Sequence, residues 1–164
     1  MLEEEDKQHE GDEMSSNHFW YYHEPGGFVQ AGDRAPDAPG LFNLGCGEST
    51  PTCLFNLLSQ SHHTIIIFLD RISDAKKDLE LSFLKTYPTD LIRTIAIIPS
   101  GHGSNALRSG VAFDVYEDRE GHAYQIYNGP EGRQVFRYPD GVVGARVGSA
   151  GRLEAYFGSI FHGY

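Results

Sequence analysis

The side chains best suited to chemistry fall in three places: Arg71, Ser73 and Asp74; His102; and His122 with Tyr124. A histidine that titrates near neutrality, set beside a guanidinium and a carboxylate, can serve as general acid or base on an enolisable or phenolic substrate. In that arrangement His102 moves the proton, Arg71 stabilises developing oxyanion charge, and Asp74 or His122 orients the partners. Ser73 and Tyr124 would supply polar and aromatic substrate contacts. The same residues have plainer readings: Ser73 or Asp74 as a helix N-cap, His102 as part of a glycine-rich surface loop, and Tyr124 with Tyr127 as the edge of a core.

Other tempting groups read as structure. His62 and His63 stand at the start of an apolar run, but neighbouring strand residues point to opposite faces and no third ligand lies near, so a metal site is not expected. Asp33, Arg34 and Asp37 sit among Gly and Pro and suit turn and backbone hydrogen bonding. Cys46 and Cys53 are seven residues apart, which matches neither a zinc knuckle nor a CxxC redox pair, and two unpaired thiols are the expected state.

The elements that must position these groups follow from pattern. Residues 64–69 form a continuous apolar run rich in β-branched side chains, as in a central strand buried on both faces, and 93–98 repeat it. Between them, Ala75, Leu79, Phe83 and Leu84 fall near helical spacing over 74–85, so the unit reads strand, helix, parallel strand. A short helix is expected near 50–58, an apolar stretch at 111–115 and a second short helix at 121–127. Residues 133–138 and 142–147 flank Pro139-Asp140-Gly141, a hairpin signal. Leu153, Tyr156, Phe157, Ile160 and Phe161 recur at i, i+3, i+4, i+7 and i+8, an amphipathic helix that closes one sheet face. His102 and the residues 71–74 then follow two parallel strands at their carboxyl ends, the usual ligand edge of such sheets.

Composition excludes several classes. The 164 residues carry 23 acidic and 13 basic side chains for a formal charge of −10, much of it in an acidic segment at 1–17 that reads as a disordered tail. Such a surface repels phosphate backbones and anionic lipid, so neither nucleic acid nor membrane is an expected partner. The longest apolar run is far too short for a bilayer and no basic-then-apolar leader opens the chain, which together suggest a cytoplasmic location. One domain, 18–164, is expected, and Met1 with its acidic leader reads as a natural start.

An α/β order of βαβ, β-hairpin and closing helix is that of a thioredoxin-like fold, with a central mixed sheet and flanking helices. The strings Tyr22-His23-Glu24-Pro25-Gly26-Gly27-Phe28-Val29-Gln30-Ala31-Gly32-Asp33-Arg34-Ala35-Pro36-Asp37-Ala38-Pro39 and Arg137-Tyr138-Pro139-Asp140-Gly141-Val142-Val143 narrow it further. Over about 18–161 the chain resembles the thioredoxin-like C-terminal domain of fungal, phenol-hydroxylase-type flavin-dependent monooxygenases. The resemblance implies a domain used for subunit contacts, with a homodimer or a flavin monooxygenase as protein partner. The flavin domains have no counterpart here, since no GxGxxG follows an opening strand, and no cofactor is expected. The place where redox members of the fold carry a nucleophilic thiol reads Asp70-Arg71-Ile72-Ser73-Asp74, so disulfide exchange and peroxide reduction lose their nucleophile.

Two functions remain. One is a cofactor-free enzyme of fungal secondary metabolism that isomerises, cyclises or dehydrates an aromatic or polyketide-like intermediate. The other is a noncatalytic accessory or dimerisation subunit for a flavin monooxygenase. The aromatic segment with Phe19, Trp20, Tyr21 and Tyr22 fits either: Trp20 and Tyr22 as substrate contacts in a lid, or the cluster as an interface.

Overall fold

A computed structural model describes residues 29–45, 50–69, 81–88, 90–102, 113–127, 134–137 and 140–161. Its centre is two apolar strands, β2 (His63–Phe68) and β3 (Ile92–Pro99), paired in parallel from His63 opposite Ile92 to Phe68 opposite Ile97. β-Branched side chains suit this pleated, doubly covered position. β4 (Asp114–Asp118) continues the parallel set beside β3, and β1 (Leu41–Asn43) closes that side antiparallel to β4. On the other side β5 (Gln134–Arg137) runs antiparallel to β2, and β6 (Val143–Val147) antiparallel to β5. The sheet order is thus β1-β4-β3-β2-β5-β6.

Alternation along the strands divides the core into two layers. Ile66, Phe68, Ile95 and Ile97 face a layer with Leu41, Leu54, Ala123 and Tyr127, which includes α1 (Leu54–Leu57) and α2 (His122–Tyr127). Ile65, Ile67, Ala96 and Ile98 face the opposite layer, where Leu153, Tyr156 and Phe157 of α3 (Ala150–Ile160) are buried. This is the amphipathic helix read from the sequence, and Ser149 caps it by accepting a hydrogen bond from the Arg152 N–H. The β5–β6 hairpin is also present: Asp140 Oδ1 accepts from the Val142 N–H, and Gly141 takes φ 90°, a conformation L side chains rarely adopt.

Local differences from the sequence reading have physical causes. Residues 81–86 form a 3-10 helix (Leu81–Thr86), not α-helix, in the short segment ahead of Pro88; the rest of the expected helix, 74–80, lies outside the described residues. β4 begins three residues later than the apolar stretch 111–115 and ends in buried Glu117 and Asp118. α1 takes its cap from a distance: Cys53 at its start makes no side-chain cap, while Asp37 Oδ1 accepts from both Ala38 and Phe55 N–H groups at 2.9 Å. Asp33 likewise receives the Gln30 N–H at 2.8 Å, so both aspartates do the turn work expected of them.

Candidate functional site

The carboxyl ends of β2, β3 and β4 are the first place to look for a site. Here Tyr124, Glu117 and Asp118 turn polar atoms back into the framework. The Tyr124 hydroxyl lies 2.7 Å from the Leu69 carbonyl and 3.0 Å from the Ile97 carbonyl, so one O–H tethers the ends of two neighbouring strands. Its ring meets Phe68 edge-on at 5.2 Å. The O–H of Tyr124, a residue expected to contact substrate, is committed here to backbone carbonyls. Glu117 Oε1 accepts the Gly101 N–H at 2.9 Å and its Oε2 the Arg119 Nε–H at 2.7 Å, while the Arg119 guanidinium stacks 3.8 Å over Phe42. Burial alone would raise the Glu117 carboxyl, but the bond from Arg119, the bond from Gly101 and the Arg119 charge together hold it below its ordinary value. Asp118, 1% exposed, accepts the Tyr124 N–H at 3.0 Å and so caps α2.

His102 sits on the turn after β3, exposed, with no hydrogen bond among the described residues. An acid or base that works in a closed site needs a ring turned inward, and His102 does not meet that condition. His122 opens α2, half-buried, with Nδ1 3.3 Å from a Glu120 carboxylate oxygen. Arg71, Ser73, Asp74, Trp20 and Tyr22 lie outside the described residues, as does Cys46; Cys53 is a half-buried free thiol at the start of α1.

At the opposite, amino ends of the same strands, a groove of about 370 Å3 is lined by His62, Asp90, Ile92, Arg93, Thr94, Phe113 and Asp114. Parallel pairing brings these residues together: His62 precedes β2, Arg93 is second in β3 and Asp114 opens β4. The Arg93 guanidinium donates to Asp114 Oδ2 at 2.7 Å and to the Leu57 carbonyl at 3.1 Å. These are two of its five N–H bonds.

His62 is held by a short relay. Ser61 N–H donates to Ser59 Oγ at 3.1 Å, the two hydroxyls are 2.8 Å apart, and Ser61 Oγ is 3.3 Å from His62 Nδ1. The other ring nitrogen, Nε2, is shielded from solvent and has no hydrogen-bond partner among the described residues. Burial first, and then the Arg93 charge, lower its pKa, so the neutral imidazole is favoured near pH 7. His63 points elsewhere, as alternation requires: its ring meets Phe157 at 5.9 Å and Phe161 at 5.5 Å. Sequence reasoning treated His62 as a polar strand start and did not reach Arg93 or Asp114. The one available signal was an arginine at the head of an otherwise apolar strand.

No helix among the described residues is long and apolar enough to cross a membrane. No family model and no curated protein matches the chain. Solved structures do. A conserved protein of unknown function from Bacteroides fragilis superposes with TM-score 0.62 at 18% identity, over 79% of this chain and 99% of that one. A thiol:disulfide interchange protein from a Bacteroides species gives 0.63 at 10% identity, over 83% and 93%. The mitochondrial 2-cys peroxiredoxin of Plasmodium falciparum gives 0.56 at 12%, over 80% and 94%. At such identities the likeness concerns architecture alone, and with the mixed sheet and its flanking helices it establishes that this chain has a thioredoxin-like fold without the CxxC pair.

Proposed function

We propose that this chain is a cofactor-free, thiol-independent enzyme that transfers a proton on a small aromatic or polyketide-like intermediate, in a step such as isomerisation, cyclisation or dehydration. The observation that carries the proposal is the amino-end groove, lined by both His62, whose Nε2 has no partner among the described residues, and Arg93, which uses two of its N–H groups on them. His62 acts as base through Nε2, with the Ser59–Ser61 relay orienting its ring. His62 lines the groove, and presenting Nε2, shielded from solvent in this structure, to a ligand requires its ring to turn away from Ser61. Arg93 offers N–H donors to the developing enolate or phenolate oxygen, Asp114 fixes the guanidinium, and Phe113 supplies an aromatic wall. The proton taken by His62 is returned to a second carbon or oxygen of the same molecule, so the step needs no oxidant or reductant.

The setting proposed with this activity is cytoplasmic and fungal, in secondary metabolism, in keeping with the resemblance to the hydroxylase C-terminal domain. The competing reading, an accessory or dimerisation subunit for a flavin monooxygenase, requires an exposed apolar patch of several hundred Å2. Among the described residues the one exposed large hydrophobic side chain is Phe55, at 49%, and the aromatic segment 19–22 on which that reading rests lies outside them.

The test is deuterium incorporation α to the carbonyls of benzoylacetone in D2O, followed by NMR. Wild type is expected to accelerate exchange over buffer, and His62→Gln to lose about 100-fold or more of that acceleration, the usual worth of a positioned base. Exchange at the buffer rate with wild type, or equal rates for the two proteins, would overturn the assignment.

A further inference from the structure

Resting on that reading of the groove, we infer that its ligand is uncharged: a phenol or enolisable carbonyl compound carrying an aromatic ring, with an O–H donor on one side and a carbonyl acceptor on the other, and not a carboxylate or a phosphate ester. The charges decide this. Among the described residues Arg93 is the one guanidinium lining the groove, and Asp114 already matches it at 2.7 Å. Asp90 adds a second carboxylate to the wall, and the whole chain carries −10. An anionic ligand would have to displace Asp114 from Arg93 while remaining close to Asp90, a juxtaposition of like charges that disfavours it.

Hydrogen-bonding capacity sets the remaining features. In the tautomer in which Nδ1–H donates to Ser61 Oγ, His62 Nε2 lacks a donor among the described residues, and a phenolic or enolic O–H supplies it. The Arg93 N–H groups that bond nothing among the described residues can meet a neutral carbonyl oxygen, which brings no second charge. Ile92 and Phe113 offer apolar surface to the body of the molecule. Arg93 and Asp90 thereby act as a charge filter, and selectivity against anions is a property of the wall, separate from any chemistry His62 performs.

Three ring compounds of nearly equal size test this: 3-hydroxyacetophenone, neutral; 3-hydroxybenzoate, its carboxylate counterpart; and 3-hydroxybenzylamine, cationic at neutral pH. Each is titrated into the full chain at pH 7.5 while the imidazole resonances of His62 are followed by NMR, with His62→Gln for assignment. The neutral compound is expected to shift His62 and to bind about tenfold or more tightly than the benzoate, equivalent to about 1.4 kcal/mol. In Asp90→Asn that preference should narrow. A benzoate that binds as tightly as the ketone, an amine that binds more tightly than either, or no shift of His62 with any of the three would overturn the inference.

The two failures are separable. Neutral binding at His62 without benzoylacetone exchange would remove the catalytic reading and keep the ligand class. Exchange combined with a preference for the anion would do the reverse.

Discussion

The two ends of the parallel strands are built from similar side chains and use them differently. At the carboxyl ends Tyr124, Glu117 and Asp118 each bond backbone groups, the carbonyls of Leu69 and Ile97 and the N–H groups of Gly101 and Tyr124, with Glu117 also held by Arg119 and only Asp118 Oδ1 of these three side chains' polar atoms without a partner among the described residues. At the amino ends Arg93 and Asp114 bond mainly to each other, and the Nε2 of His62 has no partner among the described residues. Polar groups that saturate one another stiffen a framework; polar groups with unused capacity are available to a ligand. The edge that general topology favours for binding is, over its described part, the edge this sequence devotes to holding its strands together.

The largest effect on stability should therefore come from the carboxyl end. Tyr124→Phe keeps the ring against Phe68 but removes the O–H that serves two strand-end carbonyls, and it should cost about 1–3 kcal/mol. The midpoint of urea unfolding should fall with an unchanged slope, the sign of lost stability without a change in the surface exposed. An unaltered midpoint would mean that water replaces the phenol freely and that this edge is open.

What the sequence disclosed was whatever is written locally. Ile65, Ile66 and Ile67, and Ile95 to Ile98 with Ala96 between them, announce buried strands by composition, Pro139-Asp140-Gly141 announces a hairpin by turn chemistry, and Leu153, Tyr156 and Phe157 announce a helix by spacing. β1 escaped because three residues carry no period; it exists through pairing with β4 and a bridge from Leu41 to Thr52. The end of β4 escaped because Glu117 and Asp118 read as surface residues until their partners at positions 101, 119 and 124 are in place. The groove escaped for the same reason: positions 62, 93 and 114 become neighbours only once the parallel register is known. The carboxyl-end expectation for His102 rested on a general topological rule, which cannot say whether a particular ring faces in or out.

Titration should separate the two ends by pH. At the amino end His62 and His63 have folded pKa values below the ordinary 6.5, chiefly through burial. Their unfolded forms bind protons first, so stability is lost as pH falls below about 6.5 until the folded values are reached. At the carboxyl end Glu117 is held below 4.5, so its stabilising contribution is present above that value and disappears as pH falls further, through its folded pKa. Urea midpoints measured from pH 8 to pH 3.5 should decline in two stages. His63→Phe, which suits the ring cluster with Phe157 and Phe161, should flatten the first stage, and Glu117→Gln the second. If His63→Phe leaves the slope between pH 6.5 and 5 unchanged, the placement of that ring against Phe157 and Phe161 is wrong.

The smallest effect on stability, and the sharpest test of the comparison, is expected from Arg93→Met. The Arg93 and Asp114 side chains are 36% and 49% exposed, and ion pairs so open to water contribute about 0–1 kcal/mol because screening and side-chain ordering offset most of the attraction. Methionine keeps much of the apolar stem that packs in the groove. What it cannot supply is the N–H that Arg93 gives the Leu57 carbonyl, at the end of α1. If the groove is a binding site laid over an independent framework, Arg93→Met should lower the urea midpoint by an amount equivalent to less than about 1 kcal/mol while abolishing the 3-hydroxyacetophenone shift at His62. A loss as large as that of Tyr124→Phe would give Arg93 the opposite meaning: a clamp fastening α1 to the head of β3, making the amino end as much a part of the framework as the carboxyl end.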